Sequence, residues 1–163
     1  RSLAVTPIVR DAEEREYPAL ASLWFHAWRE AHEPYVPAEL TRIRTLASFE
    51  ERLRMFGRGL RLVGPIGAPL GLCVVKDDEL NQLFTSPEAR GTGAAQALIA
   101  DAEARVAAAG HSMIWLDVVI ENARAIRFYE KTGWRRKGEQ IVGLDTLDQP
   151  FDVKVLIMEK SLM

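Results

Sequence analysis

Residues 83–110 read LFTSPEARGTGAAQALIADAEARVAAAG, and this stretch decides the fold. A β-rich apolar run ends at Pro87, a turn of small residues follows at 90–95, and an amphipathic helix begins directly after the turn. This order directs several backbone N–H groups and the positive end of a helix dipole towards one point. The stretch therefore predicts a site for an anion such as a phosphate or pyrophosphate.

The composition predicts a single globular domain over residues 1–163. This length suits one hydrophobic core, and 48% hydrophobic with 27% charged residues is typical of a folded chain. A net charge of −2 argues against nucleic-acid or anionic-membrane binding driven by overall charge. With no apolar run of bilayer length, no signal-peptide pattern and a single cysteine, the sequence favours a cytoplasmic protein without nucleic-acid or membrane partners.

The chain before residue 60 is predicted to be mostly helical. A short strand at residues 3–9 is expected to close at residues 10–12, and a first helix carries Trp24 and Trp28 on its buried stripe. Two prolines within residues 32–37 break that helix. A second helical region in two pieces follows, and one face of it is interpreted as solvated because it carries Arg42, Arg44, Arg52, Arg54 and Arg58.

The strands before the glycine turn are predicted to pair differently from the strand after it. Short strands at residues 60–63, 70–76 and 79–85 have short connections, which favours antiparallel hairpins. The helix after the turn has an apolar stripe made of Ala95, Leu98, Ile99, Ala102 and Val106. It ends at Gly110 and leads to a strand at 113–119, so this crossover predicts parallel pairing with the strand before it.

The last third of the chain adds one helix and two strands. Asn122 is predicted to cap a helix over residues 123–132 that Gly133 stops. The remaining segments are a strand at 134–142, a polar loop at 143–150 and a strand at 151–159. Together these segments predict one α/β domain with a mixed sheet of about seven strands and about four helices.

Two common phosphate-binding motifs do not fit the glycine turn. A P-loop needs a lysine and a Ser or Thr after its last glycine, but Ala94 and Ala95 follow Gly93. A dinucleotide fingerprint needs a third glycine, but Gln96 stands at that position. It also needs a parallel strand–helix–strand unit at its start, whereas the strands before this turn are predicted to form hairpins.

Two motifs resemble the GCN5-related N-acetyltransferase (GNAT) family. The first is RxxGxA at residues 90–95, which is similar to the family's pyrophosphate loop. The second is LxVxxxNxxAxxFYxxxGW at residues 116–134, in which Trp134 replaces a more usual phenylalanine. The resemblance implies a mixed, mostly antiparallel sheet of six to seven strands flanked by about four helices. It also implies that the strands at 79–85 and 113–119 splay apart to form an acetyl-CoA cleft.

The resemblance implies a set of coenzyme contacts. The loop amides would bind the pyrophosphate of acetyl-CoA, and this part of the site consists of Gly91, Thr92, Gly93, Ala94 and Ala95. Arg90 would either add a charged contact or point to solvent. The pantetheine arm would lie along Leu83, Phe84 and Thr85, and Asn122 would contact the coenzyme while capping its helix.

The activity implied is acetyl transfer from acetyl-CoA to a primary amine in a ternary complex. Tyr129 matches the family's general acid, although the alternative is a tyrosine packed in the core. Glu79 is similar in position to a glutamate used as base, although it also suits a plain turn carboxylate, and Asp117 is a second candidate. A non-catalytic acyl-CoA-binding regulatory module on the same fold is the alternative function. A homodimer is expected from the resemblance.

The acceptor is not readable from the sequence. The resemblance implies that it is set by the first helix–loop–helix, which contains His32, Glu33 and Tyr35, and by the loop between the last two strands, which contains Asp145 and Asp148. The acids among these residues would suit a cationic amine. Cys73 is predicted to be a buried small hydrophobe. The three histidines lack metal-ligand spacing, so no metal site is expected.

Overall fold

The computed structural model describes residues 7–144 and 151–163. Residues 3–6 of the predicted first strand, and Asp145 and Asp148 of the predicted loop, lie outside the described residues. The α-helices are α1 (Tyr17–His32), α2 (Ala38–Ile43), α3 (Leu46–Met55), α4 (Ala94–Ala108) and α5 (Ala123–Lys131). The strands are β1 (Val9–Asp11), β2 (Leu60–Val63), β3 (Gly71–Lys76), β4 (Glu79–Thr85), β5 (Met113–Val119), β6 (Arg135–Leu144) and β7 (Phe151–Ser161).

The seven strands form one mixed sheet in the order β1-β2-β3-β4-β5-β7-β6. Every neighbouring pair is antiparallel except β4 and β5, which are parallel because α4 crosses over between them. The predicted mixed, mostly antiparallel sheet is therefore confirmed. Within the described ranges the α-helices number five rather than about four, since the region after α1 is divided into the separate helices α2 and α3.

Helices cover both faces of the sheet and create two main cores. On one face, Trp24 of α1 and Phe49 of α3 pack against β2 and β3, where Leu72 and Val74 point towards them. On the other face, α4 and α5 cover a cluster that includes Cys73 of β3. Neighbouring residues of β3 thus enter different cores, as the pleat of a strand requires.

The first strand departs from its prediction, because residues 10 and 11 belong to β1 instead of closing it. Arg10 pairs with Leu62 of β2 in the sheet. Its guanidinium donates to the buried Glu16 at 2.7 and 2.8 Å and to the Gly64 carbonyl at 3.0 Å. These partners, which lie outside the strand, hold a charged residue inside a strand that local propensity would end.

The solvated arginine face is wrong at one position. Arg44 is buried, at 7% exposure, whereas Arg42, Arg54 and Arg58 are exposed. Arg52 is half-buried, and its guanidinium lies 4.5 Å from the centre of the Trp24 ring. Aliphatic stems and aromatic neighbours allow such side chains to pack against the protein, so arginine in a helical pattern does not by itself indicate a solvent-facing side.

Other details of the elements also differ from prediction. Ala94, not Ala95, is buried at the start of α4, because the helix begins directly after Gly93. The strand β6 includes residues 143 and 144, which were predicted to be loop. β7 extends to Ser161 because it pairs with β5 on one side and with β6 on the other. A strand held by two neighbours continues beyond the point where its own pattern weakens.

Candidate active site

The strands β4 and β5 touch only at their beginnings. Their parallel register contains one pair, Glu79 opposite Trp115. At that point the Trp115 backbone N–H donates to the Asp78 carbonyl at 3.2 Å, and its indole N–H donates to Asp78 Oδ1 at 3.0 Å. β4 remains paired with β3 as far as Thr85, so its opposite edge faces an open gap. The predicted splay and V-shaped cleft are present.

A cavity of about 700 Å³ occupies this gap and opens towards both layers of helices. On the α5 side its wall includes Asn122, Ala125 and Tyr129, and on the α1–α3 side it includes Trp28 and Phe56. A molecule bound along the open edge of β4 would thus be accessible from the opposite face of the sheet. This is the arrangement that a reaction between two substrates requires.

The glycine turn presents free backbone donors. Gly91 and Gly93 have φ angles of +76° and +81°, which glycine adopts without strain. The Thr92 backbone N–H donates to the Ala89 carbonyl at 3.1 Å, and the Thr92 hydroxyl accepts from the Ala94 N–H at 3.2 Å. Among the residues that the structure describes, nothing accepts from the N–H groups of Gly91, Gly93, Ala95 and Gln96.

This geometry divides the predicted loop contacts into two groups. Gly91, Gly93 and Ala95 have N–H groups available for an anion, whereas those of Thr92 and Ala94 are already bonded within the turn. Gln96 has an available N–H that the sequence interpretation missed. Thr92 provided the relevant indication, because a threonine beside a helix start commonly caps a backbone N–H with its own hydroxyl.

The other predicted coenzyme residues lie around the same gap. Leu83 packs towards the α4 side of the sheet and Phe84 towards the α1 side, while Thr85 ends β4. The Arg90 side chain is exposed, so both of its predicted alternatives stay open. Asn122 caps α5 by accepting from the Ala125 N–H at 3.3 Å, which confirms its predicted cap.

Tyr129 is buried yet forms part of the cavity wall. Its ring packs against Phe128 and Trp134, with ring centroids 5.6 and 5.8 Å away. Burial raises the pKa of the Tyr129 phenol above its usual range, and the charge of Asp117 raises it further. The phenol consequently keeps its proton at neutral pH and can supply it to a negative charge that develops in the cavity.

Two carboxylates line the same cavity, Glu79 on β4 and Asp117 on β5. Burial raises the pKa of Glu79, with a contribution from Asp117, while a hydrogen bond from the Asn81 amide at 3.2 Å opposes the shift. Water reaches Asp117 through the open cleft, but the surrounding protein still raises its pKa. Both predicted base candidates therefore meet Tyr129 at one cavity.

A β-bulge at Asn81 contributes to this arrangement. Leu80 pairs with Val75 and Gln82 pairs with Val74, so Asn81 is an extra residue in β4. The bulge re-aims the side chains that follow it relative to Glu79. Sequence periodicity alone did not indicate it, because one inserted residue in a seven-residue strand leaves no distinct pattern.

Other predictions about single residues can be assessed in the same way. Cys73 is buried, and burial raises the pKa of its thiol to about 12, as suits a structural hydrophobe. Within residues 7–144 and 151–163, no group of three or more metal-ligating side chains is present. No helix in the same ranges is long and apolar enough to cross a bilayer. The interpretation of the sequence placed His32 in the helix–loop–helix that sets the acceptor, but it took Arg44 for part of a solvated face; both line the cavity.

Comparison with known families agrees with this geometry. The sequence model of the acetyltransferase (GNAT) family matches residues 17–134, and the chain belongs to that family. Among curated proteins, uncharacterized N-acetyltransferases of Mycobacterium tuberculosis and Mycobacterium bovis are 44% identical over 63 residues. That match spans 39% of this chain and 40% of the length of those relatives.

Solved structures show the same fold over nearly the whole chain. A GCN5-related N-acetyltransferase from Rhodopseudomonas palustris superposes with a TM-score of 0.76 at 20% identity, covering 99% of both chains. The paia N-acetyltransferase from Thermoplasma acidophilum, in complex with coenzyme A, has a TM-score of 0.66 at 16% identity and covers 96% of this chain and 99% of that chain. At these identities the likeness concerns the fold alone.

Proposed function

We propose that this protein is an acetyl-CoA-dependent N-acetyltransferase that transfers the acetyl group to a primary amine by direct attack in a ternary complex. The observation that carries the proposal is that β4 and β5 pair at a single position and then separate. The glycine turn follows the end of β4, and Tyr129 lies in the wall of the cavity between the two strands. Family membership, and a neighbour of the same fold that binds coenzyme A, support it.

The fit of the coenzyme rests on two sets of backbone groups. The available N–H groups of Gly91, Gly93, Ala95 and Gln96 lie at the start of α4, where the helix dipole also favours an anion. The open edge of β4 offers backbone donors and acceptors along Leu83, Phe84 and Thr85. A pyrophosphate on the turn would thus place the pantetheine arm along β4 as an added strand.

The chemistry requires two proton transfers that the cavity residues can perform. An alkylammonium has a pKa of about 10, so a base must first remove one proton, and we assign this role to Glu79 acting directly or through water. The leaving thiolate has a pKa of about 8.5 by analogy with cysteine, and Tyr129 would protonate it. The raised pKa of Glu79 makes it a stronger base than an ordinary carboxylate.

Two measurements test the proposal in sequence. Isothermal titration with acetyl-CoA should show saturable binding, and an absence of binding at high micromolar ligand would contradict the proposal. Release of free thiol is then followed over a panel of primary amines, with acetyl-CoA alone as the control for hydrolysis. Amine-dependent thiol release supports the enzyme, whereas tight binding without turnover on any amine supports the acyl-CoA-binding regulatory module instead.

The expectations about assembly and location stay predictions. Light scattering at several protein concentrations would test the homodimer directly. The cytoplasmic location and the lack of nucleic-acid partners rest on composition and charge alone.

A further inference from the structure

His32 lies between the acceptor-side helices and the strand proposed to hold the coenzyme. It is the last residue of α1 and lines the cavity. Its ring stacks on Trp28 with ring centroids 5.2 Å apart and an interplanar angle of 27°. The ring centroid of Phe84, on β4, lies 6.0 Å away. The imidazole is thus held by aromatic neighbours at the side of the cavity that an acceptor would enter.

A hydrogen bond determines which nitrogen of this ring carries the proton. Nδ1 of His32 lies 3.2 Å from the Trp28 carbonyl oxygen. Because a carbonyl oxygen can only accept, Nδ1 must be the donor, and in the neutral ring Nε2 then keeps a lone pair. In the part of the chain that the structure describes, the ring's hydrogen bond is the one through Nδ1, and none is made through Nε2. The ring therefore offers one unused proton acceptor.

The surroundings keep the ring neutral. Burial lowers the pKa of His32, the Arg44 charge lowers it further, and only the hydrogen bond to Trp28 opposes the shift. The charged side chains that line the same cavity are Arg44, Glu51, Arg52, Lys76, Glu79 and Asp117. A histidine at a helix C-terminus is ordinarily favoured as a cation, so the opposite direction here reflects its half-buried, aromatic environment.

We propose that His32 is a catalytic residue of the acetyl transfer: its Nε2 accepts a hydrogen bond from the attacking nitrogen and takes the proton that this nitrogen loses as the amide forms. The inference rests on the proposed function. It adds to that function a second proton acceptor on the acceptor side of the cavity.

The proton balance has a place for this second acceptor. An alkylammonium carries three protons on nitrogen and the secondary amide product carries one, so two protons must leave. Glu79 removes the first, which frees the lone pair that forms the C–N bond, and His32 removes the second as the C–S bond breaks. Tyr129 protonates the sulfur. One of the two nitrogen protons restores Tyr129 and the other enters bulk water.

NMR of the ring nitrogens tests which nitrogen of His32 carries the proton, without any amine substrate present. Long-range proton–nitrogen spectra should show His32 protonated at Nδ1, neutral at pH 7 and titrating below the ordinary pKa of about 6.5. His26, exposed on the same helix, is the internal reference. A proton on Nε2, or a charged ring at pH 7, would overturn the proposal.

Kinetics of matched variants test the role. With 2-phenylethylamine and alanine amide as probes, His32→Phe keeps a flat ring without Nε2 and should lower kcat/KM for the amine about 10-fold or more. Its Kd for acetyl-CoA should equal that of the unaltered protein, and the acidic limb due to His32 should vanish from the pH profile. His32→Gln supplies an amide oxygen near the Nε2 position. Its KM for the amine should be lower than that of His32→Phe, but its kcat should not be restored. His26→Phe should change neither.

The results separate this inference from the proposed function. Turnover by the unaltered protein with unchanged amine kinetics in His32→Phe overturns only the role of His32. An equal loss of acetyl-CoA affinity and turnover in that variant also overturns it, because the effect is then structural. If neither probe amine releases thiol, each should still shift the His32 Nε2 resonance when it is added, because the proposal places the amine nitrogen against Nε2. An unshifted resonance overturns the proposal. Failure to bind acetyl-CoA is a failure of the proposed function itself.

Discussion

The two sides of the cleft are built from different kinds of groups. The proposed coenzyme side offers backbone N–H groups from one short stretch, residues 91–96, and the open edge of the strand just before it. The proposed acceptor side offers side chains that are far apart in sequence, such as His32, Glu79 and Asp117. Backbone-directed binding needs glycine at particular positions and so leaves a motif, whereas side-chain recognition needs only that distant residues meet.

The two sides also differ in their titratable groups. The glycine turn offers neutral donors whose availability does not change with pH. The acceptor side contains His32 with a lowered pKa, and Glu79 and Asp117 with raised pKa values. We therefore expect coenzyme affinity to vary little between pH 5 and 8, and turnover to vary strongly over the same range.

The largest expected effect comes from Tyr129, which lies at the boundary between the two sides. Tyr129→Phe removes the proton donor while keeping the packed ring, so kcat should fall about 10²-fold or more. The Kd for acetyl-CoA, measured by titration calorimetry, should be unchanged. Tyr17→Phe, outside the cavity, is the control. Full turnover in Tyr129→Phe would remove the general acid assignment.

Glu79→Gln tests the acceptor side alone. It should lower kcat/KM for the amine about 10²-fold at neutral pH, because the base is lost, and leave the Kd for acetyl-CoA unchanged. Equal losses in turnover and coenzyme affinity would contradict the division into two sides.

The same variant should be more stable than the unaltered protein at neutral pH. The folded-state pKa of Glu79 is raised above its unfolded value, so ionisation is disfavoured in the fold. Its contribution to stability is fully present below the unfolded pKa and is lost as pH rises through the folded pKa. Urea unfolding of both proteins should coincide below pH 4, and Glu79→Gln should show the higher midpoint at pH 7.

Gly93→Val tests the coenzyme side alone. A β-branched residue at a φ of +81° costs about 1–2 kcal/mol, and relieving that strain would turn the free N–H groups away from the anion. Affinity for acetyl-CoA should fall about 10-fold, as about 1.4 kcal/mol corresponds to a factor of ten. Gly67→Val, at a φ of +84° in the turn before β3, should cost similar stability and leave affinity unchanged. Equal affinity losses in both variants would show a global effect.

The smallest effect is expected at the contact that joins the two sides. Trp115→Phe removes the indole hydrogen bond to Asp78 and should lower the free energy of unfolding by about 1 kcal/mol. Turnover should change little, because the backbone bond between the same residues remains. A double-mutant cycle with Asp78→Ala measures the coupling. A coupling energy near zero would show that this bond does not hold the cleft apex together.

Several parts of the fold could be predicted because they depend on neighbours in the chain. The strands Leu60–Val63, Glu79–Thr85 and Met113–Val119 have the predicted bounds, since alternating apolar residues and turn residues delimit each of them. The Asn122 cap is local for the same reason. The glycine turn was recognisable because positive φ angles demand glycine.

Features that depend on distant contacts were decided only by the tertiary structure. Arg10 continues a strand because Glu16 and the Gly64 carbonyl accept hydrogen bonds from its guanidinium, and Arg44 is buried although its local pattern predicts a solvated face. The bulge at Asn81 and the position of β7 between β5 and β6 are likewise settled by pairing partners.

The sequence by itself indicated the class of fold and a turn suited to an anion, through periodicity and turn chemistry, which act over a few residues. Tyr129 became a candidate acid through the resemblance to the GNAT family. The tertiary structure decided which loop N–H groups remain free, that Glu79, Asp117 and Tyr129 share one cavity with His32, and that Nδ1 of His32 is bonded to the Trp28 carbonyl. These properties arise from hydrogen bonds and burial between segments far apart in the chain, for which a single sequence has no local counterpart.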